Sequence, residues 1–231
     1  INLKTLDCNF NPDLLSLDLS NNSQLISVSS NQIWGTENGS LEYIDVSNCS
    51  NLEALTCLHA QVISIDVSNS PNLIVLNIGH NSIETIDITN NIYLETLIVD
   101  NNLISEINVT SNANLNVLDI SDNPNLTCVD LRNGNNIEIK GFFATGNPNL
   151  YCINVDDEIY STDSWTNILD QHYFSNNCID PCGSINILEN TKTKNLLKLI
   201  DVLGRETNNN KGFQLHIYDD GSIEKKYFIE K

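Results

Sequence analysis

The chain repeats a short pattern of apolar and polar positions along most of its length. The pattern is apolar-x-x-apolar-x-apolar-x-x-Asn, and its copies recur at alternating spacings of 10 and 11 residues in the regular middle region. The full repeat is therefore 21 residues long with two similar halves. Fourteen copies predict about seven coils, and they begin at Leu3, Leu14, Leu25, Leu41, Leu52, Val62, Leu73, Ile83, Leu94, Ile104, Leu115, Leu126, Ile139 and Leu150.

The positions within each copy predict a stack of short parallel strands. The fourth and sixth positions are apolar and alternate with polar ones, which is the periodicity of a β-strand. One strand of this length cannot bury its apolar edge alone, whereas stacked coils bury a continuous apolar column. The Asn at the ninth position is predicted to turn inward and bond backbone groups at the corner of the coil. Cys49, Ala60 and Ser70 replace this Asn, and weaker corner bonding is expected there.

The repeat resembles the leucine-rich repeat family, and it is most similar to the bacterial class in which LxxLxLxxN is nested twice in 21 residues. This resemblance covers residues 3 to about 158 and implies an all-β solenoid, a right-handed coil of about seven turns. An insertion at 32–40, which contains Trp34, is expected to bulge from one coil. Because Ile1 opens directly inside a repeat, we expect the solenoid (1–158) to be incomplete, with a leader and further repeats missing.

The outward positions sort into two different faces. Copies starting at 14, 41, 62, 83, 104, 126 and 150 form what we call the uniform face, where the fifth position is Asp or Asn and the seventh is mostly Ser or Thr. We interpret each Asp as an acceptor for the hydroxyl two residues on or for turn amides. The alternative is Ca²⁺ held between stacked carboxylates, since Ca²⁺ takes several oxygen ligands.

The remaining copies form the variable face, which is heterogeneous and carries exposed apolar side chains. Apolar patches rimmed by polar groups often mark partner sites, and leucine-rich repeat proteins generally bind through a sheet face. We therefore predict a surface that contacts a protein or a glycan, and ordinary surface scatter is the alternative. Its candidate residues are Leu58, Ile74, Val75, Ile98 and Val117.

Charge changes the picture in two ways. With 30 acidic and 11 basic residues, the net charge is −19, which argues against nucleic-acid binding. Residues 1–183 hold 23 acidic and three basic side chains, whereas 184–231 hold seven and eight. This step predicts a domain boundary, with a turn-rich linker at 179–184. No apolar run exceeds four residues, so no membrane-spanning helix is predicted.

A search for catalytic motifs finds none. The four histidines lack zinc-site spacing, and no GxSxG or glycine-rich phosphate loop occurs. His80, beside Asn81 at a coil corner, is expected to be a solvent-exposed turn residue. We predict a non-enzymatic protein without metal or cofactor.

Four of the seven cysteines cluster near the end of the solenoid, at Cys128, Cys152, Cys178 and Cys182. The segment 147–157, followed by Trp165, resembles the terminal unit of secreted bacterial leucine-rich repeat proteins. The resemblance implies a cap at 159–178 that is pinned by a Cys152–Cys178 disulfide, with Trp165 covering the core. From position alone, a Cys128–Cys152 pair remains an alternative, because both are third positions on neighbouring coils.

The last segment, 185–231, has strand-like runs broken at 203–204, 208–212 and 220–221, which predicts a small antiparallel β domain. It also resembles the C-terminal sorting domain of proteins exported by the bacterial type IX secretion system. The resemblance rests on short motifs that include Gly204, Arg205, Tyr218, Asp220, Gly221, Lys225 and Lys226. It implies the outer-membrane secretion machinery as a partner.

Taken together, these patterns predict a binding module that is secreted or displayed on the outer-membrane surface of a Gram-negative bacterium. The missing leader would then be a secretory signal peptide. The alternative is a structural spacer or stalk of a larger adhesin, without a ligand of its own.

Overall fold

The computed structural model describes residues 2–32 and 40–178, together with three strands at 196–201, 212–218 and 223–228. The chain divides into two compact units, Ile1–Gly183 and Ser184–Lys231. Most of the predicted insertion, including Trp34, lies outside the described residues. Among the residues that are described, no helix is long and apolar enough to cross a membrane.

The first unit is a solenoid of three-residue parallel strands, which confirms the predicted fold. The variable face is one seven-stranded parallel sheet, formed in order by β1 (Thr5–Asp7), β3 (Ser27–Ser29), β5 (Ala54–Thr56), β6 (Val75–Asn77), β7 (Thr96–Ile98), β9 (Val117–Asp119) and β11 (Gly141–Phe143). The uniform face carries a two-stranded sheet and a four-stranded sheet, formed by β2 (Ser16–Asp18) with β4 (Tyr43–Asp45), and by β8 (Glu106–Asn108), β10 (Cys128–Asp130), β12 (Cys152–Asn154) and β13 (Tyr173–Ser175).

The inward apolar positions align from coil to coil. Leu76 pairs with Leu97, and Leu97 pairs with Leu118, in the register of the seven-stranded sheet. All three side chains are fully buried, and they belong to one core cluster that continues along the solenoid. This column is the structural reason for the 21-residue period, because each coil buries its apolar residues only against its neighbours.

The corner asparagines connect successive coils through their side chains. Asn102 donates from Nδ2 to three backbone carbonyls and accepts the Ile83 amide at Oδ1, 2.9 Å away. Where Asn is replaced, bonding is weaker, as predicted: Cys49 Sγ reaches only Leu19 O, at 3.5 Å, and Ser70 Oγ reaches only Cys49 O, at 3.1 Å. The coils near 49–70 are therefore held by fewer corner bonds.

A short cap closes the end of the solenoid. Helix α1 (Glu158–Ser164) starts at Asp157, whose carboxylate accepts two backbone N–H groups of the first turn. Trp165 is buried, its ring packs on Phe142 with centroids 4.7 Å apart, and its Nε1 donates to Ile139 O at 3.2 Å. Trp165 therefore covers the last apolar layer of the core, as the resemblance to terminal repeat units implied.

The second unit contains β14 (Leu196–Asp201), β15 (Gly212–Tyr218) and β16 (Ile223–Phe228), paired antiparallel in that order. This agrees with the small antiparallel domain predicted there. Tyr218 ends β15, and Lys225 and Lys226 lie in β16, where they pair with Leu215 and Gln214. The other motif residues, Gly204, Arg205, Asp220 and Gly221, lie outside the described residues.

Candidate functional site

The central strands of the variable face bring three of the predicted contact residues together. Val75 pairs with Thr96, which pairs with Val117, and in the next outward row Ile98 lies between Asn77 and Asp119. Ile98 is therefore diagonal to both valines, within reach of their side chains across adjacent strands. All three are half-buried. We call this group, together with Phe143, the apolar cluster.

Phe143 joins the cluster because of a neighbouring glycine. Its strand β11 pairs with β9, and it is 37% exposed. A Cβ at Gly141 would lie 3.3 Å from the Phe143 ring and 3.5 Å from Val117, so the ring lies over Gly141 beside Val117. Phe143 is the fifth position of the copy that begins at Ile139, and it is not among the contact residues predicted from the sequence. The signal that identifies it is the missing side chain two residues earlier.

Ile74 and Leu58, the other two predicted residues, lie at opposite margins of the sheet. Ile74 directly precedes β6, and Leu58 follows β5 by two residues. Both are half-buried. The cluster is therefore continuous across β6, β7, β9 and β11, and these two side chains extend it toward the two edges rather than adding to its centre.

The N-terminal part of the variable face is polar. Ser29 Oγ donates to Asn9 Oδ1 at 2.9 Å, Thr56 Oγ1 lies 3.0 Å from Ser29 Oγ, and Asn31 Nδ2 reaches the same hydroxyl at 3.1 Å. These side chains satisfy one another across β1, β3 and β5. The sheet thus has a self-bonded polar part and an apolar part whose side chains have no comparable partners within the sheet.

Two histidines border the apolar cluster at the edge where the strands end. His59 and His80 adopt left-handed backbone conformations, with φ of 55° and 56°, and their rings stack with centroids 4.1 Å apart. His80 Nε2 lies 3.2 Å from Asp100 Oδ2. The prediction that His80 is a solvent-exposed turn residue was wrong: its side chain is only 26% exposed, because it stacks on His59 of the preceding coil and pairs with Asp100 of the following one.

Asp100 is held in a partly desolvated position. Burial raises the pKa of its carboxyl, the nearby Asp119 raises it further, and His80 opposes the shift. A Cβ at Gly79 would overlap the Asp100 carboxylate, so a larger residue there would displace this side chain from its present position. Burial also lowers the pKa of His59, and the nearby His80 lowers it further. This edge therefore combines acidic groups and imidazoles beside the cluster.

The uniform face shows the internal bonding that its pattern predicted. Asp87 Oδ1 accepts from the Thr89 amide at 3.0 Å and from its hydroxyl at 2.7 Å, and these bonds lower the pKa of Asp87. Asp18 bonds Ser20 in the same way. The aspartates thus accept hydrogen bonds within their own turns, in agreement with the structural interpretation of this face. Among the described residues, no cluster of His, Cys, Asp or Glu is arranged to hold a metal ion.

The cap disulfide is present between Cys152 and Cys178, whose Cα atoms are 5.8 Å apart. This confirms the pair implied by the resemblance. The Cys128–Cys152 alternative is wrong, because the sulfur of Cys152, in strand β12, is already bonded to Cys178. Cys128 is itself disulfide-bonded. Cys8, Cys49 and Cys57 are free thiols, and burial raises the pKa of Cys57 to about 12, so it behaves as a core residue and not as a nucleophile.

Comparisons with known proteins agree with the solenoid architecture. No protein-family model matches the chain, and no curated protein matches it. Among solved structures, the functional domain of InlJ from Listeria monocytogenes, described as including a cysteine ladder, is 24% identical, with a TM-score of 0.53, over 75% of this chain and 44% of that one. The chain thus spans less than half the length of that domain.

Two further structures are similar with lower scores. The internalin InlF from Listeria monocytogenes is 21% identical over 68% of this chain and 45% of its own, with a TM-score of 0.46. The leucine-rich repeat protein LIC12759 from Leptospira interrogans is 13% identical over 71% and 54%, with a TM-score of 0.41. The similarity to InlJ identifies the fold as that of a leucine-rich repeat solenoid.

Proposed function

We propose that this chain is a binding module of a secreted or cell-surface protein and that it engages a protein partner through the apolar cluster of the variable face. The observation that carries the proposal is the cluster itself. Val75, Ile98, Val117 and Phe143 lie diagonally to one another on four adjacent strands, beside an acidic and imidazole-bearing edge. An apolar centre with a polar rim is the usual composition of a protein-contacting patch.

The contrast between the two faces supports this choice of surface. The uniform face uses its aspartates and hydroxyls in bonds within each turn. The variable face leaves apolar side chains half-exposed on a sheet whose backbone is already paired and cannot rearrange to bury them. A spacer would not need such a cluster, so the spacer role is the less supported alternative.

The test uses two isoleucine substitutions of equal chemistry. Ile98→Asp places a carboxylate in the centre of the cluster, and Ile63→Asp makes the same change at a side chain on the other side of the solenoid that is 66% exposed. Immobilised wild-type and variant chains would be incubated with extracellular protein extracts and the bound proteins quantified. We expect partners that are retained by wild type and Ile63→Asp and lost with Ile98→Asp. Equal retention by all three chains would refute the choice of face.

Export through the type IX secretion system is a separate proposal, supported by the short motifs of the second unit and its antiparallel strands. Its test expresses the chain with and without residues 185–231, each behind a secretory signal peptide, in a bacterium that has this secretion system. We expect the truncated protein to remain inside the outer membrane and the full chain to reach the surface or the medium. Export of both would refute the sorting role.

A further inference from the structure

A pocket lies where the coils enter the variable face, on the side away from the histidine edge. Its volume is about 300 Å³, and its walls are Glu53, Asn72, Ile74, Tyr93, Glu95 and Asn114. Both charged residues in the wall are acidic, and the wall contains no base. An aliphatic side chain and an aromatic one complete it, so the pocket offers negative charge beside apolar surface.

Tyr93 forms part of the pocket wall at a position where the repeat otherwise places an Asn that hydrogen-bonds the preceding coil. At intervals of 21 residues, an Asn side chain donates to a carbonyl of the preceding coil: Asn51 to Ser23, Asn72 to Ser50, Asn114 to Ile92 and Asn135 to Ala113. Position 93 belongs to this series but holds Tyr, which is 54% exposed. Among the hydrogen bonds of the described residues, none joins the Tyr93 side chain to the preceding coil. At position 93, Tyr therefore replaces the Asn that would bond the preceding coil, and its ring forms part of the pocket wall.

The two carboxylates stand on either side of Ile74. Glu53, Ile74 and Glu95 precede three consecutive strands, and backbone bonds at 2.8 and 2.9 Å keep them in line. With ~4.8 Å between neighbouring strands, Glu53 and Glu95 start about 10 Å apart. A guanidinium or ammonium group between them would be near both charges. Its methylene stem would lie against Ile74, and the Tyr93 ring in the pocket wall would offer a cation–π contact.

We propose that this pocket receives an arginine or lysine side chain of the protein partner. The inference rests on the proposed function, because it names the chemistry of a partner bound at the variable face. The charge of the chain agrees, since residues 1–183 carry a net charge of −20 and favour encounter with a basic surface. Because exposed ion pairs are individually weak, the pocket would set orientation and specificity while the apolar cluster provides most of the contact.

The test is an NMR titration of the full 231-residue chain with N-acetyl-arginine N-methylamide, with the citrulline analogue as the neutral isostere. We expect the arginine compound to shift backbone amide signals of residues 72–75 and 93–96, and the citrulline compound to leave them in place. Glu53→Gln combined with Glu95→Gln should weaken binding about tenfold. Tyr93→Asn should also weaken it, while restoring the residue that the repeat predicts and thus keeping the fold.

Matched controls separate this site from general attraction to an acidic protein. Glu84→Gln combined with Glu106→Gln removes the same charge from exposed positions of the uniform face and should leave the affinity unchanged. The inference is overturned if this control weakens binding equally, if citrulline binds as well as arginine, or if arginine leaves the pocket signals unshifted. A neutral disaccharide, N,N′-diacetylchitobiose, that shifts the pocket signals when arginine does not would overturn it in favour of a glycan site.

The two proposals fail independently. Ile98 is not part of the pocket wall, so Ile98→Asp should not lower the affinity for the arginine compound even where it abolishes partner binding. Loss of partner binding with Ile98→Asp, but an unshifted pocket, would retain the proposed function and remove the pocket from it.

Discussion

Replacing Asn102 with Ala tests whether the corner asparagines hold the coils together. Asn102 is 2% exposed. Its Nδ2 group donates to Ile78 O at 3.0 Å and to Val99 O and Asp100 O, both at 3.2 Å. Its Oδ1 accepts the amide of Ile83 at 2.9 Å. The side chain thus links its own corner to that of the preceding coil.

The cost of the substitution follows from which groups keep a partner. The three carbonyls still accept from Asn81 Nδ2, Asn123 Nδ2 and the His80 amide. The Ile83 amide has no second acceptor among the described residues. A buried amide left unsatisfied costs about 1–3 kcal/mol. Including the weakened carbonyl bonds and the small void, we expect Asn102→Ala to lower the free energy of unfolding by about 3 kcal/mol.

The assay is urea unfolding followed by circular dichroism, with a control that makes the same change elsewhere. Asn125 is exposed and makes one long bond, 3.4 Å, to Leu103 O, so Asn125→Ala should change the free energy of unfolding by less than about 0.5 kcal/mol. Asn102→Asp keeps an acceptor for Ile83 but sets a carboxylate against three carbonyls, and should destabilise at least as much as Ala. Equal effects of Asn102→Ala and Asn125→Ala would refute the role assigned to the corner asparagines.

Three further predictions concern the cap and the core. Replacing Cys152 and Cys178 together with Ser opens a loop with a sequence separation of 26 and should lower the free energy of unfolding by about 3.5 kcal/mol; an unchanged urea midpoint would contradict this. Burial lowers the pKa of His172. Its contribution to stability is therefore present above pH ~6.5 and should be lost as the pH falls through the folded-state pKa. In thermal unfolding scans, His172→Gln should reduce this loss of stability at low pH. Ser30 is fully buried and its hydroxyl has no hydrogen-bond partner, so Ser30→Ala should raise the free energy of unfolding by about 1 kcal/mol, measured in urea; a loss would show that the hydroxyl is satisfied.

The sequence was sufficient for the solenoid because the information is periodic. Each inward Leu, such as Leu97, needs only its equivalents one repeat away, and the 21-residue spacing states where those are. The same reasoning separated the two faces and selected Val75, Ile98 and Val117 as candidate contact residues, and the register places them on neighbouring strands. The cap disulfide was implied by resemblance to terminal repeat units rather than by spacing, which also allowed the wrong pair.

Features that depend on side-chain direction could not be predicted in this way. His80 was taken as a solvent-exposed turn residue because a pattern of exposed positions does not show that corner residues on successive coils stack and pair. The Phe143 ring lies over Gly141, and predicting this contact would have required knowing that the ring turns along the sheet. The pocket combines residues just before the strands with Tyr93 from the corner, and these positions belong to different parts of the repeat.

The three substituted corner positions also bear on the mechanics of the rod. Cys49, Ala60 and Ser70 stand at successive corner positions of adjacent coils, so fewer side-chain bonds join the coils there than in the middle of the solenoid around Asn102. We expect thermal bending of the solenoid to be larger there, next to the boundary between the polar and apolar parts of the variable face. A partner that contacts both parts would therefore bind a surface whose curvature varies.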